Sequence, residues 1–210
     1  MRVTRGICRV MPNSPTTYYD DDELRDALTH VNSYRTLHEI YGLFYGIRAG
    51  STQAKPKQYL SLIYDIEHRE SVSAQAIETV YNNLLSLWNY VTRWKPEEEP
   101  FAFPDQDYPS TAQGFLEHTA DDLSLILFFR KGLALSVVQE KQYSNKVRGA
   151  LDEISEVEIH LKNYQEMYES IEPEAEIKNP RVSEKKFQEL EDTIARSIAN
   201  ITAALKNPKK

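Results

Sequence analysis

Glu117, His118, Asp121 and Asp122 fall within two helical turns, and Asp152, Glu156 and His160 recur at i, i+4 and i+8. Carboxylates and imidazole are proper ligands for a divalent cation, so each group has the chemistry of a metal site. A metal-dependent hydrolase in a helical bundle would need such ligands on facing helices. The same residues also make an ordinary exposed polar face with i,i+4 pairing. The spacing favours that face, with no metal and no cofactor, and leaves the hydrolase as an alternative. The rest of the chemistry is sparse. His38-Glu39 lacks the second histidine of the HExxH zinc motif. There is no GxSxG elbow and no P-loop. Cys8 sits near the chain start, a poor place for a nucleophile that needs a fixed base. No residue stands out as catalytic, and enzymatic activity is not the expectation.

A second constellation is structural. Gly42 and Gly46 lie one turn apart in the apolar run LHEIYGLFYGIRAG. Each lowers helix stability by about 1 kcal/mol relative to alanine. A phosphate-binding loop would follow a strand, and a membrane dimer face would exclude His38, Glu39 and Arg48. Close approach of another helix inside a bundle is what remains.

The 210 residues are 40% hydrophobic, enough to bury a sizeable core. A single cysteine excludes a disulfide framework or cysteine-rich zinc site and fits a reducing, cytoplasmic setting. No apolar run reaches the roughly 18–20 residues of a bilayer span. The net charge of −7 argues against direct nucleic-acid binding. A nucleic-acid-associated factor would have to use the N-terminal arginines Arg2, Arg5 and Arg9 and the closing lysines.

The elements that must position these residues are all helical. Residues 1–16 read as a flexible segment and 17–206 as one helical domain. Asp20 and Glu23 suit a first helix start, and the acidic run suits the positive end of the helix dipole. Leu37, Ile40, Tyr41, Phe44 and Ile47 form a second stripe, stopped by Gly50 in a left-handed conformation. Pro56 opens a third helix with Tyr59, Leu60, Ile63 and Ile66 buried. Ser73 caps a fourth with Ile77, Val80, Tyr81, Leu84, Trp88 and Val91. Thr119 or Asp121 caps the apolar LSLILFF helix, where Gly132 marks a bend or a close packing point. An amphipathic helix then runs from Val147 to Tyr168. After a linker at 171–182, Ser183 caps a last helix to residue 206, with Phe187, Leu190, Ile194, Ile198, Ile201 and Leu205 on one face, and 207–210 is a tail. The expected fold is a compact all-α bundle of six to eight helices.

LHEIYGLFYGIRAG followed by KPKQYLSLIYD resembles the motif of the YgfB/YecA family of uncharacterised bacterial proteins. That motif has a helix with a Gly-xxx-Gly-like pattern, a short loop, and a helix reading roughly W-L-P-L-I/L. Tyr59 stands for the usual tryptophan and Ser61 for the proline. Ile77–Asn82, Phe101-Ala-Phe103, Asp122–Leu135, Ala150–Ile154 and Leu190–Ile201 resemble later family segments in order. The resemblance covers about residues 36–205. It implies an all-helical cytosolic protein with no established catalytic residues. Some members add a C-terminal cysteine-rich zinc module, but no cysteine follows Cys8 here.

Between the fourth helix and the LSLILFF helix lies KPEEEPFAFPDQDYPS, with four prolines and five acids against Lys95 alone. Connections this long are often functional. The sequence therefore suggests a non-enzymatic adaptor or regulator that binds another protein through Glu97, Glu98, Glu99, Phe101, Phe103 and Tyr108. The aromatic rings would anchor a basic partner and the acids would steer it. The alternative is that Phe101 and Phe103 pin the loop to the bundle. A homodimer is compatible with the sequence.

Overall fold

The structure, a computed structural model, describes residues 21–31, 33–50, 63, 72–104, 108–135, 143–177 and 180–206. The chain is all-α, with six helices among these residues: α1 Asp21–His30, α2 Leu37–Ala49, α3 Ala74–Arg93, α4 Ala112–Leu135, α5 Asn145–Glu169 and α6 Pro180–Lys206. The expected N-terminal segment, the 207–210 tail and most of the helix expected after Pro56 lie outside the described residues. Ile63 is described, helical and buried.

The most extensive contact is between α2 and α4. Glycine makes it possible. A methyl carbon at Gly42 would stand 3.0 Å from Phe129 N and closer still to Leu125 O. At Gly46 it would stand 2.8 Å from Leu133 N, with Phe129 O nearer. Gly132 returns the contact from α4, where a methyl carbon would stand 2.8 Å from Ile47 N and 3.0 Å from the Gly46 Cα. Three glycines thus let two backbones touch where any Cβ would meet main chain. Gly132 is a packing point rather than a bend, since α4 runs through it unbroken.

Around this pair the apolar stripes close one core. Leu24 and Leu28 of α1, Val80, Leu84, Leu87 and Val91 of α3, Val147, Ile154, Val157 and Leu161 of α5, and Phe187, Ile194, Ile198 and Ile201 of α6 are all buried. Tyr81, expected on the buried face, is exposed instead. Polar ties fix the helices' relative register. Tyr41 Oη donates to Asp21 Oδ1 at 2.7 Å, Arg130 pairs with Glu158 at 2.6 Å, and Ser197 Oγ donates to Glu153 Oε2 at 2.7 Å.

Helix ends differ from expectation in three places, and the start of α2 carries a local cap. Thr36 forms a capping box with Glu39 at the start of α2. Gly50 ends that helix in an extended conformation, φ −69° and ψ 161°, so its left-handed freedom is not used. Helix α4 begins seven residues before Thr119, at Ala112. Its first amides find acceptors outside the helix: Ala112 N donates to Ala175 O and Gln113 N to Pro173 O, both at 3.1 Å, on the segment joining α5 to α6. Those partners are some sixty residues away, while Thr111 adds a local N-cap, its Oγ1 accepting from Gly114 N at 3.2 Å, which the sequence reading passed over. Helix α6 opens at Pro180 rather than Ser183, because proline suits a first turn whose amides have no intrahelical partner.

Glycine's two roles give opposite expectations for the same substitution. Gly46→Ala should destabilise by roughly 1–3 kcal/mol, despite alanine's better helix propensity, because its Cβ meets backbone that cannot swing aside. Gly149→Ala in α5, where a Cβ meets nothing within 4 Å, should stabilise by about 0.5–1 kcal/mol. Urea denaturation of both variants checks the pair. A Gly46→Ala variant as stable as the parent would refute the close-contact account.

Candidate functional site

The turn after α3 holds the three glutamates. Its backbone is fixed by Glu98 N and Glu99 N donating to Lys95 O, both at 3.0 Å. The indole Nε1 of buried Trp94 donates to Glu99 O at 3.1 Å and to Pro100 O at 3.2 Å. Glu97 and Glu98 are exposed and Glu99 is partly buried. Lys95 pairs with Glu98 at 2.9 Å across open solvent, where such pairs contribute little.

The linker's aromatic rings do something else. Phe101 is 4% exposed and belongs to the core, with its ring edge-on to Tyr45 at 4.4 Å. Phe103 is partly buried against Phe101 at 5.0 Å. Phe101 is therefore not presented to a partner, because the apolar gain of seating it beside Tyr45 and Trp94 outweighs leaving it in water. Tyr108 turns inward as well. Its hydroxyl donates to Glu191 Oε2 at 2.5 Å, and its ring lies 5.2 Å from that of His118.

Tyr108 leads to the molecule's main buried polar cluster. His118 and Asp122 lie one turn apart on α4, and Glu191 faces them from α6. His118 Nε2 is 2.9 Å from Glu191 Oε1 and 3.9 Å from Asp122 Oδ2. One ligand atom from each of the three lies within 4.8 Å of the other two. Asp122 is fully buried, His118 is 4% exposed, and neither Asp122 oxygen has a hydrogen-bond partner. Burial, then the charges of Glu191 and Asp121, pushes the Asp122 carboxyl well above the usual range. Phe187 closes one side, edge-on to the His118 ring at 5.1 Å.

His38 of α2 borders the cluster. Its Nδ1 is 3.7 Å from Asp121 Oδ2, while its buried Nε2 has no partner. Burial first, then His118 and Arg25, lowers its pKa to about 3, so the ring is neutral at pH 7 and the contact with Asp121 is not an ion pair. His38 and Asp121 also line a cavity of about 250 Å³ at the junction of α1 and α2, with Arg25, Ser33, Arg35 and Thr36.

The exposed polar face expected for residues 117–122 is therefore wrong for His118 and Asp122, which α6 covers. Asp152, Glu156 and His160 do not join them; Asp152 and His160 are exposed on α5. The histidine and carboxylate groups that spacing singled out do not meet, and α4 instead recruits Glu191. A signal existed both for the burial of Asp122 and for the missed Glu191. Asp122 stands in the buried series Phe115, Thr119, Asp122, Leu125 and Phe129, and Glu191 stands between Phe187 and Ile194. An acid at a core position of a helical stripe needs a partner.

No model of a known protein family matches the chain, and no curated protein matches it. Among solved structures, a crystal structure of the lpg0076 protein from Legionella pneumophila is similar, with a TM-score of 0.55 and 16% identity. The match covers 92% of this chain and 99% of that one, and it shows a shared fold. No described helix is long and apolar enough to cross a membrane.

Two substitutions test the site's physics. Phe101→Ala should lower stability by about 3–5 kcal/mol in urea denaturation, the cost of emptying a buried phenylalanine site. His38 gives a pH dependence. Its folded pKa of about 3 lies below the ordinary 6.5, so between these values the unfolded state binds the extra proton. Its contribution is retained above pH 6.5 and lost at up to about 1.4 kcal/mol per pH unit as the pH falls towards 3. His38→Gln should flatten the stability profile between pH 6.5 and 4. An unchanged acid limb would contradict the buried neutral ring.

Proposed function

We propose that this protein is a non-enzymatic cytosolic adaptor or regulator that binds another protein through the acidic turn Glu97–Glu99. The observation that supports it is rigid presentation. Trp94 and Phe101 lock the turn from both sides, and Glu97 and Glu98 project from it into solvent. A preorganised surface loses less conformational entropy on association than a mobile one. The chemistry of the turn selects a partner with a basic face. Phe101 and Tyr108, held inward, act as anchors for the turn and leave recognition to the acids and the rim of Phe103. The ordered resemblance to YgfB/YecA segments fits a helical protein without catalytic residues.

A photo-crosslinking side chain at position 98, with one at exposed position 160 as control, tests this in the native host. Capture of a basic protein at 98 alone is expected. Changing Glu97, Glu98 and Glu99 to lysine should slow its association at least tenfold at low salt and leave the melting temperature nearly unchanged, because rim charges act mainly on the on-rate. Equal capture at both positions would refute the proposal.

A further inference from the structure

The buried cluster of α4 and α6 has chemistry that the adaptor proposal does not use. Asp122 is fully buried, with two oxygens that no described side chain or amide satisfies, and one of them points towards His118. A buried acceptor without a donor is strongly disfavoured. Here two acceptors share one side chain, beside a second carboxylate and a third at Asp121. Space-filling does not account for this arrangement. An aliphatic residue at 122 would fit the apolar series of α4 and avoid the cost.

We infer that His118 Nε2, Asp122 and Glu191 Oε1 form a binding site for a divalent first-row transition-metal ion. Two of the three ligand separations are close to those of a filled site, and all three ligand atoms lie within 4.8 Å of one another. Ligands about 2.1 Å from an ion stand about 3 Å apart in octahedral coordination and about 3.4 Å apart in tetrahedral coordination. The His118–Glu191 separation of 2.9 Å already meets this, and the His118–Asp122 separation of 3.9 Å needs a closure of less than 1 Å. Two carboxylates and a neutral imidazole balance a dication's charge in a region that excludes water. One nitrogen with two oxygens suits zinc, manganese or iron(II) better than calcium or magnesium, which favour all-oxygen shells.

Groups behind the ligands complete the site. Tyr108 holds the free oxygen of Glu191 at 2.5 Å, turning the other towards His118. Tyr108 and Phe187 fix the plane of the imidazole. Hydrogen bonds that orient ligands from behind are the usual support of a metal centre. The ligands come from two helices, so the ion would tie α6 to α4.

Titration of chelator-treated full-length protein with Zn2+ and Mn2+, followed by calorimetry and thermal melting, tests the inference. One ion per chain is expected, with a rise in melting temperature. Loading with Co2+ should give visible d–d bands shifted from those of the aqueous ion by the nitrogen ligand, and His118→Ala should lose that shift. Asp122→Asn and Glu191→Gln should each weaken binding at least tenfold. The asparagine variant should match or exceed the parent's melting temperature without metal, since its amide supplies a donor where the carboxyl leaves two acceptors unsatisfied. Wild-type protein that binds neither ion, or an Asp122→Asn variant that binds as tightly, would overturn the site. These outcomes are independent of crosslinking at Glu98, so either proposal can fail alone.

Discussion

The contact of α2 with α4 at Gly42, Gly46 and Gly132 governs the rest of the structure. Two helices normally stand 8–10 Å apart because their side chains intervene. Here the side chains are missing at three successive positions, and main chain meets main chain. The register is set by the same atoms: Gly42 against Leu125, and Gly46 against Phe129 and Leu133. Both helices therefore advance in the same direction. One turn before Gly42 comes His38, and one turn before Leu125 come Asp121 and Asp122. Packing the glycines places those polar residues together inside the bundle.

That placement carries an energetic cost. A carboxyl group with no hydrogen-bond partner and an imidazole with an unpartnered nitrogen lie in the wall between three helices. A neutral His38 and an Asp122 carboxyl shifted upward are what burial produces when no charged partner is at hand. The surrounding aromatic residues keep water out: Phe115 stacks on Tyr168 at 5.0 Å, and Phe187 packs on Phe115 at 5.4 Å. The strongest polar atoms in the core thus occupy a well-packed and rigid setting. Such a setting preserves ligand geometry and resists relaxation around an unsatisfied group.

The proline-rich connection between α3 and α4 works as a strap. Trp94 holds its start, Phe101 plugs its middle into the core beside Tyr45, and Tyr108 ends it on Glu191. Its prolines disfavour helix and sheet, and its aromatic residues supply the attachment points. The fixed acidic turn on the outside and the hydrogen bond that holds Glu191 on the inside come from one segment. The acidic turn and the buried cluster thus belong to one connection, anchored at Trp94, Phe101 and Tyr108.

The sequence by itself determined the helical class. Apolar residues at 3.6-residue spacing give each described helix a face to bury, and Gly42 with Gly46 marked a close contact before any partner was visible. These are local properties, set by periodicity and by the absence of a side chain. Local sequence also marked the start of α3 at Ser73, whose hydroxyl accepts from Ala76 N at 3.1 Å. Tertiary structure alone decided three things. It supplied acceptors for the first two amides of α4 from the α5–α6 connection, beyond the local cap that Thr111 gives Gly114 N. It put Phe101 in the core, because Tyr45 and Trp94 frame a space that no pattern within the linker describes. It brought Glu191, rather than Asp152 or His160, to His118 and Asp122. Helical spacing states which residues share a face, whereas the residue that meets that face is set by how helices distant in sequence pack.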